Sequence, residues 1–158
     1  MTGRKKARAI GINHVSIEVG NIAEAIAFYG RFLELKVEDL SEDTASIELG
    51  DQFIALTRGR NQGPDSTRHF GLVVDDRDAI RQALTEMKAQ ILPGRFLAFI
   101  DPWGNHVEVV GYGNVLFTKS PQMFRAMGIP ALPKTARVES DLVEMENACS
   151  PDSGTDPA

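Results

Sequence analysis

The sequence predicts an α+β fold built from two repeated modules, and three observations support this prediction. A strand with alternating polarity that opens with a histidine is followed by an amphipathic helix and further strands, and this series occurs twice. A segment rich in Gly, Asn, Pro, Asp and Ser separates the two occurrences. We therefore assign a first module to residues 9–60, a linker to 61–67 and a second module to 68–113.

The first strand is predicted at residues 12–19, where apolar and polar side chains alternate with period two. The apolar face would carry three branched residues, Val15, Ile17 and Val19. The polar face would carry His14, Ser16 and Glu18. A face with three polar side chains either lines a binding site or faces water.

The first helix is predicted at residues 22–34. Asn21 is a suitable N-cap, and Glu24 three residues later completes a capping box. Apolar residues then follow at helical spacing: Ile22, Ala25, Ile26, Tyr29 and Leu33. Short strands are predicted at 38–40, 45–49 and 52–57.

The second module restarts the pattern with a strand at 68–74 that contains His69. Asp76 is a suitable cap for a helix that begins at Arg77. His14 and His69 each lie eight residues before the start of the following helix. Strands are predicted at 95–100 and 106–110, and the composition of residues 101–105 predicts a tight turn between them.

The remaining sequence indicates an ordinary globular protein with a C-terminal extension. Hydrophobic residues make up 42% and charged residues 25% of 158 residues, with a net charge of -5. The basic segment from Arg4 to Arg8 is too short to indicate nucleic-acid binding. No stretch is long enough to span a bilayer, no secretory signal is recognised and Cys149 is the only cysteine, so the cytoplasm is expected. In the extension at 114–158, a short helix is expected at 120–127 and disorder after about residue 140.

The histidines suggest a metal site. His14 and His69 occupy equivalent positions of a repeat, and Glu108 lies on the last strand with His106 on the same face. Two histidines and one carboxylate form a facial triad that leaves coordination positions open. Each residue also has an ordinary structural interpretation, because a histidine on a strand is commonly hydrogen-bonded and a glutamate on an edge strand commonly faces solvent.

Several motifs resemble those of the vicinal oxygen chelate superfamily, which includes glyoxalase I, bleomycin-resistance proteins, fosfomycin-resistance enzymes and extradiol dioxygenases. They are Ile12-Asn13-His14-Val15, Phe28-Tyr29, Gly50-Asp51, His69-Phe70-Gly71-Leu72 and Asp101-Pro102-Trp103-Gly104-Asn105 leading to Glu108. The resemblance covers residues 9–113. It implies two βαβββ modules that form curved mixed sheets around a central cleft, with the helices outside.

The resemblance implies that His14, His69 and Glu108 bind one divalent metal ion: Fe, Mn, Ni, Co or Zn, with Fe or Mn favoured. The position of a fourth ligand in glyoxalase I and methylmalonyl-CoA epimerase is occupied by Ala55, which argues against both activities. Extradiol dioxygenases have a tyrosine at the position of Ala98, which argues against that chemistry. The Ser16 position resembles a substrate-contacting hydroxyl of fosfomycin-resistance enzymes, but the segment Met87–Gly94 is shorter than their cation-binding loop.

We therefore expect a metal-dependent enzyme, a lyase, transferase or dioxygenase, that acts on a small and possibly aromatic compound. Glu18 or His106 is the expected proton acceptor. The residues expected to contact substrate are Ser16, Phe96, Ala98 and Trp103. A bleomycin-resistance-type protein that sequesters a toxic compound is the alternative, and a purely structural metal is a third possibility. The resemblance also implies a homodimer, while the charge and the apolar pattern of the sequence predict neither a nucleic-acid nor a membrane partner.

Overall fold

The structure, a computed structural model, describes residues 10–149 and divides into two compact units between Gly63 and Pro64. The basic segment at Arg4–Arg8 and the sequence after residue 149 lie outside the described residues. None of the helices in the described range is both long enough and apolar enough to cross a membrane.

The first unit contains a four-stranded mixed sheet with one helix between its first two strands. Its strands are β1 (His14–Val19), β2 (Val37–Glu38), β3 (Thr44–Glu48) and β4 (Phe53–Arg58). Their order across the sheet is β1-β4-β3-β2, with β1 parallel to β4 and the other neighbours antiparallel. Helix α1 (Ile22–Tyr29) connects β1 to β2.

The second unit repeats this arrangement. Its strands are β5 (Phe70–Val74), β6 (Gln90–Ile91), β7 (Leu97–Ile100) and β8 (His106–Gly111), and helix α2 (Arg77–Glu86) follows β5. The order is β5-β8-β7-β6, again with a parallel first pair. The predicted α+β fold with two repeated strand-helix-strand-strand-strand modules is confirmed.

Burial follows the predicted period of two, because one face of each sheet packs on its own core. In the first unit the buried side chains are Ile17 and Val19 of β1, with Ala45, Ile47, Ile54 and Leu56 of β3 and β4 and Ile22, Ala25 and Tyr29 of α1. In the second unit they are Leu72, Val74, Ile80, Leu84, Leu97, Phe99, Val107 and Val109. The opposite faces therefore hold the polar side chains of β1 and β8.

Both helices begin at the predicted caps. The side chain of Asn21 accepts a hydrogen bond from the backbone N–H of Glu24, and Asp76 accepts from the backbone N–H groups of Asp78 and Ala79. The predicted C-terminal end of the first helix was wrong, because α1 ends at Tyr29 rather than near residue 34. Residues 30–32 form turns after the Gly30 cap, and this lets the chain reverse toward β2.

Strand β7 and the C-terminal extension also differ from the prediction. Strand β7 begins at Leu97 rather than at residue 95, because residues 92–96 form the connection from the two-residue strand β6, which was not predicted. Disorder after about residue 140 was also wrong as far as the structure extends, since helix α4 (Ala136–Cys149) occupies this range. The burial of Val138 and an ion pair between Arg137 and Asp141 at 3.6 Å stabilise its first turns.

Several contacts hold the C-terminal extension against the end of β8, and Lys134 makes three of them. A 3-10 turn (Tyr112–Asn114) follows β8, and helix α3 (Pro121–Ala126) lies where a short helix was predicted. The Nζ atom of Lys134 donates to the backbone carbonyl oxygens of Tyr112, Val115 and Phe117 at 3.0, 2.8 and 2.7 Å. The same ammonium lies 3.5 Å from the ring centroid of Tyr112. Lys134 thus satisfies three carbonyl groups of an otherwise irregular segment.

Replacing Lys134 with Met should lower the free energy of unfolding by about 2 kcal/mol, because partly buried carbonyl groups lose a charged donor. Urea denaturation followed by circular dichroism measures the change. Lys88→Met is the matched control, since Lys88 is exposed, and it should shift stability by less than about 0.5 kcal/mol. Equal losses in the two variants would show that the ammonium of Lys134 does not anchor the extension.

Candidate metal centre

Two of the three predicted ligands meet on the second unit. His69 immediately precedes β5, and Glu108 lies in the middle of β8, where it pairs in register with Gly71. Because β5 and β8 are adjacent parallel strands, residue 69 and Glu108 project from the same face of the sheet. The Nε2 atom of His69 is 3.5 Å from Oε2 of Glu108.

The tautomer of His69 determines which atoms of the imidazole face Glu108. Its Nδ1 atom lies 2.9 Å from the backbone carbonyl oxygen of Thr67, which can only accept, so Nδ1 carries the proton. In the neutral ring, Nε2 then presents a lone pair toward the Glu108 carboxylate, whose oxygen atoms are also acceptors. Two such acceptors repel each other unless a cation lies with them, and neutral imidazole with carboxylate is a common donor set for divalent metals. The residues present therefore fit a metal ion.

His106 lies beside this pair at the start of β8. Its ring centroid is 5.0 Å from that of His69, with the two planes inclined by 37°. Its Nδ1 atom is 3.2 Å from the backbone carbonyl oxygen of Ser66, so this ring also holds its proton on Nδ1. The prediction that His106 shares the face of Glu108 agrees with the alternating burial of β8.

Small residues flank Glu108 on both sides. Gly71 of β5 and Ala98 of β7 are its register partners across the two neighbouring strands. A Cβ atom placed on Gly71 would meet no atom within 4 Å, so there is open space beside the carboxylate. The side chain of Glu108 is 23% exposed.

The third predicted ligand, His14, lies on the first unit and is held in a similar way. Its ring stacks on Phe53 of β4, its register partner, with centroids 4.7 Å apart and planes 11° apart. Its Nδ1 atom is 2.9 Å from Oδ1 of Asn13, which leaves the lone pair on Nε2. All three histidines of the chain thus have Nδ1 on an oxygen acceptor.

The middle of this face carries small and hydroxyl side chains. Ser16 and Ser46 flank Ala55 in register across β1, β4 and β3. Ala55 offers no donor atom to a metal. Glu18 accepts a hydrogen bond from Nε2 of Gln62 at 3.0 Å, which orients its carboxylate.

The other carboxylates near this face are committed to a lysine. Lys36 donates a short hydrogen bond to Glu48, the register partner of Phe53, and its Nζ lies 3.1 Å from a carboxylate oxygen of Glu38. The hydrogen bond to Glu48 raises the pKa of Lys36, and the same bond lowers the pKa of Glu48. Both carboxylates are thus paired with a cationic side chain.

The tight turn before β8 fixes the position of Glu108. The buried Asp101 carboxylate accepts from the backbone N–H groups of Trp103 and Asn105 at 2.9 and 2.8 Å. Gly104 has a φ of +92°, and a Cβ there would lie 2.8 Å from Cα of Pro64, so both conformation and space require glycine. The turn was predicted from composition, and its hydrogen bonds explain the asparagine and aspartate at its ends.

The four residues predicted to contact substrate lie in different parts of the fold. Ala98 shares the row of Glu108, and Ser16 shares the exposed face with His14. Phe96 lies in the connection before β7, 54% exposed, with the Arg95 guanidinium 5.5 Å from its ring. Trp103 is half-buried in the turn. Their contact with a substrate stays a prediction.

Within residues 10–149, no group of three His, Cys, Asp or Glu side chains lies close enough to hold a metal. The structure brings together His69 and Glu108, with His106 beside them, while His14 belongs to the other unit. Sequence reasoning missed the supporting groups, namely Asn13, Phe53, Gly71 and the carbonyls of Ser66 and Thr67. Phe53 could have been found by aligning the two modules, since it occupies the position of His106.

The sequence profile of the Glyoxalase/Bleomycin resistance protein/Dioxygenase superfamily matches residues 11–109. This range spans both units and includes His14, His69 and Glu108. The chain therefore belongs to this superfamily, and the resemblance found in the sequence is confirmed.

The chain is similar in sequence to one kind of characterised enzyme and in fold to several solved structures. The chain is 32% identical to metallothiol transferase FosB of Shouchella clausii (strain KSM-K16) over 115 residues, which are 63% of this chain and 78% of FosB. The fold is also similar to that of a variant of the fosfomycin resistance protein FosX of Listeria monocytogenes, crystallised with Mn(II) and 1S,2S-dihydroxypropylphosphonic acid. This structure superposes with a TM-score of 0.55 at 13% sequence identity, and the match covers 66% of this chain and 93% of FosX. Lactoylglutathione lyase of Agrobacterium tumefaciens superposes with a TM-score of 0.53 at 17% sequence identity, and the match covers 66% of this chain and 96% of the lyase. The two structural similarities indicate the fold.

The open space at Gly71 predicts that Gly71→Ala increases the free energy of unfolding by about 0.5–1 kcal/mol, because alanine loses less backbone entropy than glycine in a strand. Gly71→Leu should fold too, but its side chain should fill the space beside Glu108. Urea denaturation tests the first effect. Calorimetric titration with Mn(II) tests the second, with Gly71→Ala as the matched control. A leucine variant that binds the ion as well as the alanine variant would contradict this description of the site.

Proposed function

We propose that this protein is a metal-dependent enzyme that acts on a small organic substrate, with His14, His69 and Glu108 as the ligands of one divalent ion. The observation that carries the proposal is the contact between Nε2 of His69 and the carboxylate of Glu108. Both are acceptors, they lie 3.5 Å apart, and the Thr67 carbonyl fixes the tautomer of the imidazole. A bound cation makes this contact favourable.

The ion, when bound, supplies Lewis-acid polarisation of a substrate oxygen. The chain's own residues orient the substrate and move its proton. Ser16 offers an exposed hydroxyl, and Gly71 and Ala98 leave space beside Glu108. Glu18 is the proposed proton acceptor, because its carboxylate is half-buried and held by Gln62 on the face that carries His14.

Among the reactions of the superfamily, we favour transfer of a thiol to a small organic acceptor. The support is the similarity to FosB, which is described as a metallothiol transferase. Ala55 and Ala98 lack the polar groups that glyoxalase I and extradiol dioxygenases are expected to have at these positions, and this disfavours both alternatives. The connection before β7 is short and carries an exposed Phe96, which favours an acceptor with apolar surface over a small phosphonate.

Protein purified without added metal or chelator should contain about one divalent ion per chain, as the three-ligand site requires. Glu108→Gln and His69→Ala should each lose it, because they remove a donor atom. Inductively coupled plasma mass spectrometry measures the content. Glu48→Gln is the matched control and should retain the ion, since Glu48 is paired with Lys36. Wild-type protein that stays metal-free after incubation with Mn(II), Fe(II) and Zn(II) would refute the proposed site.

In the presence of the ion, the protein should consume a low-molecular-weight thiol when a reactive organic acceptor is supplied. Loss of free thiol, followed with a chromogenic disulfide reagent over a panel of epoxides and activated alkenes, measures the reaction. Glu108→Gln should slow it by at least about 100-fold, which corresponds to about 2.7 kcal/mol of transition-state stabilisation. Calorimetric binding of a panel compound without thiol loss would instead support a sequestering protein of the bleomycin-resistance type.

A further inference from the structure

Each proposed histidine ligand faces an aromatic ring on the neighbouring strand. In the first unit the register pairs His14 of β1 with Phe53 of β4. In the second unit the register pairs Phe70 with Val107, so the preceding residues, His69 and His106, occupy the equivalent positions. The two rings of each pair lie close, with centroid distances of 4.7 Å for the first pair and 5.0 Å for the second. The two units thus repeat this arrangement although the partner residue differs.

The ring contact and the Nδ1 hydrogen bond constrain different motions of the imidazole. The hydrogen bond to Asn13 or to the Thr67 carbonyl acts in the plane of the ring. The neighbouring ring, stacked on His14 and inclined by 37° to His69, restricts rotation about the bond from Cβ to the ring. Together they select one ring orientation, with the Nε2 lone pair directed away from the backbone. A metal ligand held in this way loses little conformational entropy when it binds.

We propose that Phe53 and His106 are positioning residues, which hold the rings of His14 and His69 in the orientation that binds the ion. The inference rests on the proposed function for the identity of the ligand, but the positioning itself is a property of the protein without metal. His106 then acts through the face of its ring rather than as a ligand or a proton acceptor. The repeat supports this role, because Phe53, at the equivalent position of the first unit, offers a ring without any nitrogen atom.

The chain supplies its own control, because phenylalanine is the natural residue at the equivalent position. If His106 acts as a ring, His106→Phe should preserve the site and His106→Leu should damage it. In the first unit, Phe53→Tyr should preserve the site and Phe53→Leu should damage it. Leucine keeps much of the apolar volume in both cases and removes the flat surface.

The first measurement uses the protein without metal. Long-range 15N–1H correlation spectra report which nitrogen of each imidazole carries the proton, at a pH about two units above the ordinary pKa of histidine. The wild type should show the Nδ1–H tautomer for His14 and His69. Phe53→Leu should give a mixture of the Nδ1–H and Nε2–H tautomers for His14 only. His106→Leu should give such a mixture for His69 only. His106→Phe and Phe53→Tyr should match the wild type.

The second measurement is the affinity for Mn(II), determined by competition with a chromogenic chelator. Both leucine variants should bind about ten-fold more weakly, the effect typical of residues that orient a ligand. His106→Phe and Phe53→Tyr should stay within about two-fold of the wild type. Circular dichroism verifies that each variant is folded, and the conservative variants keep the test decisive if a leucine variant unfolds.

The outcomes separate the two proposals. If His106→Phe loses as much affinity as His106→Leu, His106 is a ligand or a proton-transfer group, and the positioning role is overturned. Leucine variants with wild-type tautomers overturn it as well. If the tautomers change as expected but even the wild type binds no metal, the positioning role of Phe53 and His106 is supported and the proposed metal site is refuted.

Discussion

The parallel pairing of the first and last strand in each unit determines which side chains can meet. Side chains alternate between the two faces of a strand, so once one face is buried the other face and its cross-strand partners are fixed. Because Ile17, Val19, Leu72 and Val74 are buried, the side chains of His14 and His69 lie on the opposite, open face of their sheets. The register then places Phe53 beside His14, and Gly71 and Ala98 beside Glu108. A shift by one residue would bury the polar groups and expose the core.

Sequence analysis was effective where information is local. The alternation in β1, the helix caps at Asn21 and Asp76 and the turn that begins at Asp101 depend on neighbouring residues, and the structure has each of them. Errors arose where longer-range contacts decide. Helix α1 stops at Tyr29 although apolar spacing continues to Leu33, and α4 forms in a segment whose composition suggested disorder because Val138 is buried.

The candidate site was predictable as a list of residues but not as an arrangement. The repeat identified His14 and His69, and the last strand identified Glu108, yet no sequence pattern specifies that Thr67 and Ser66 offer their carbonyls to the imidazoles. These contacts depend on the path of the linker before β5. Phe53 was overlooked because a phenylalanine on a strand normally indicates a core residue, whereas here it is half-buried on the face opposite the core.

The contact between His69 and Glu108 in the second unit has an energetic consequence for the protein without metal. The carboxylate of Glu108 lies 3.5 Å from Nε2 of His69, and with a neutral imidazole these two acceptors face each other without a hydrogen bond between them. Removing either group would relieve the repulsion, and the open space at Gly71 would accept a larger apolar residue. The chain instead directs the Nδ1 proton of His69 to Thr67 and so keeps the two acceptors facing each other. Local conflicts of this kind are expected at functional sites, and the proposed metal ligands His69 and Glu108 are such a pair.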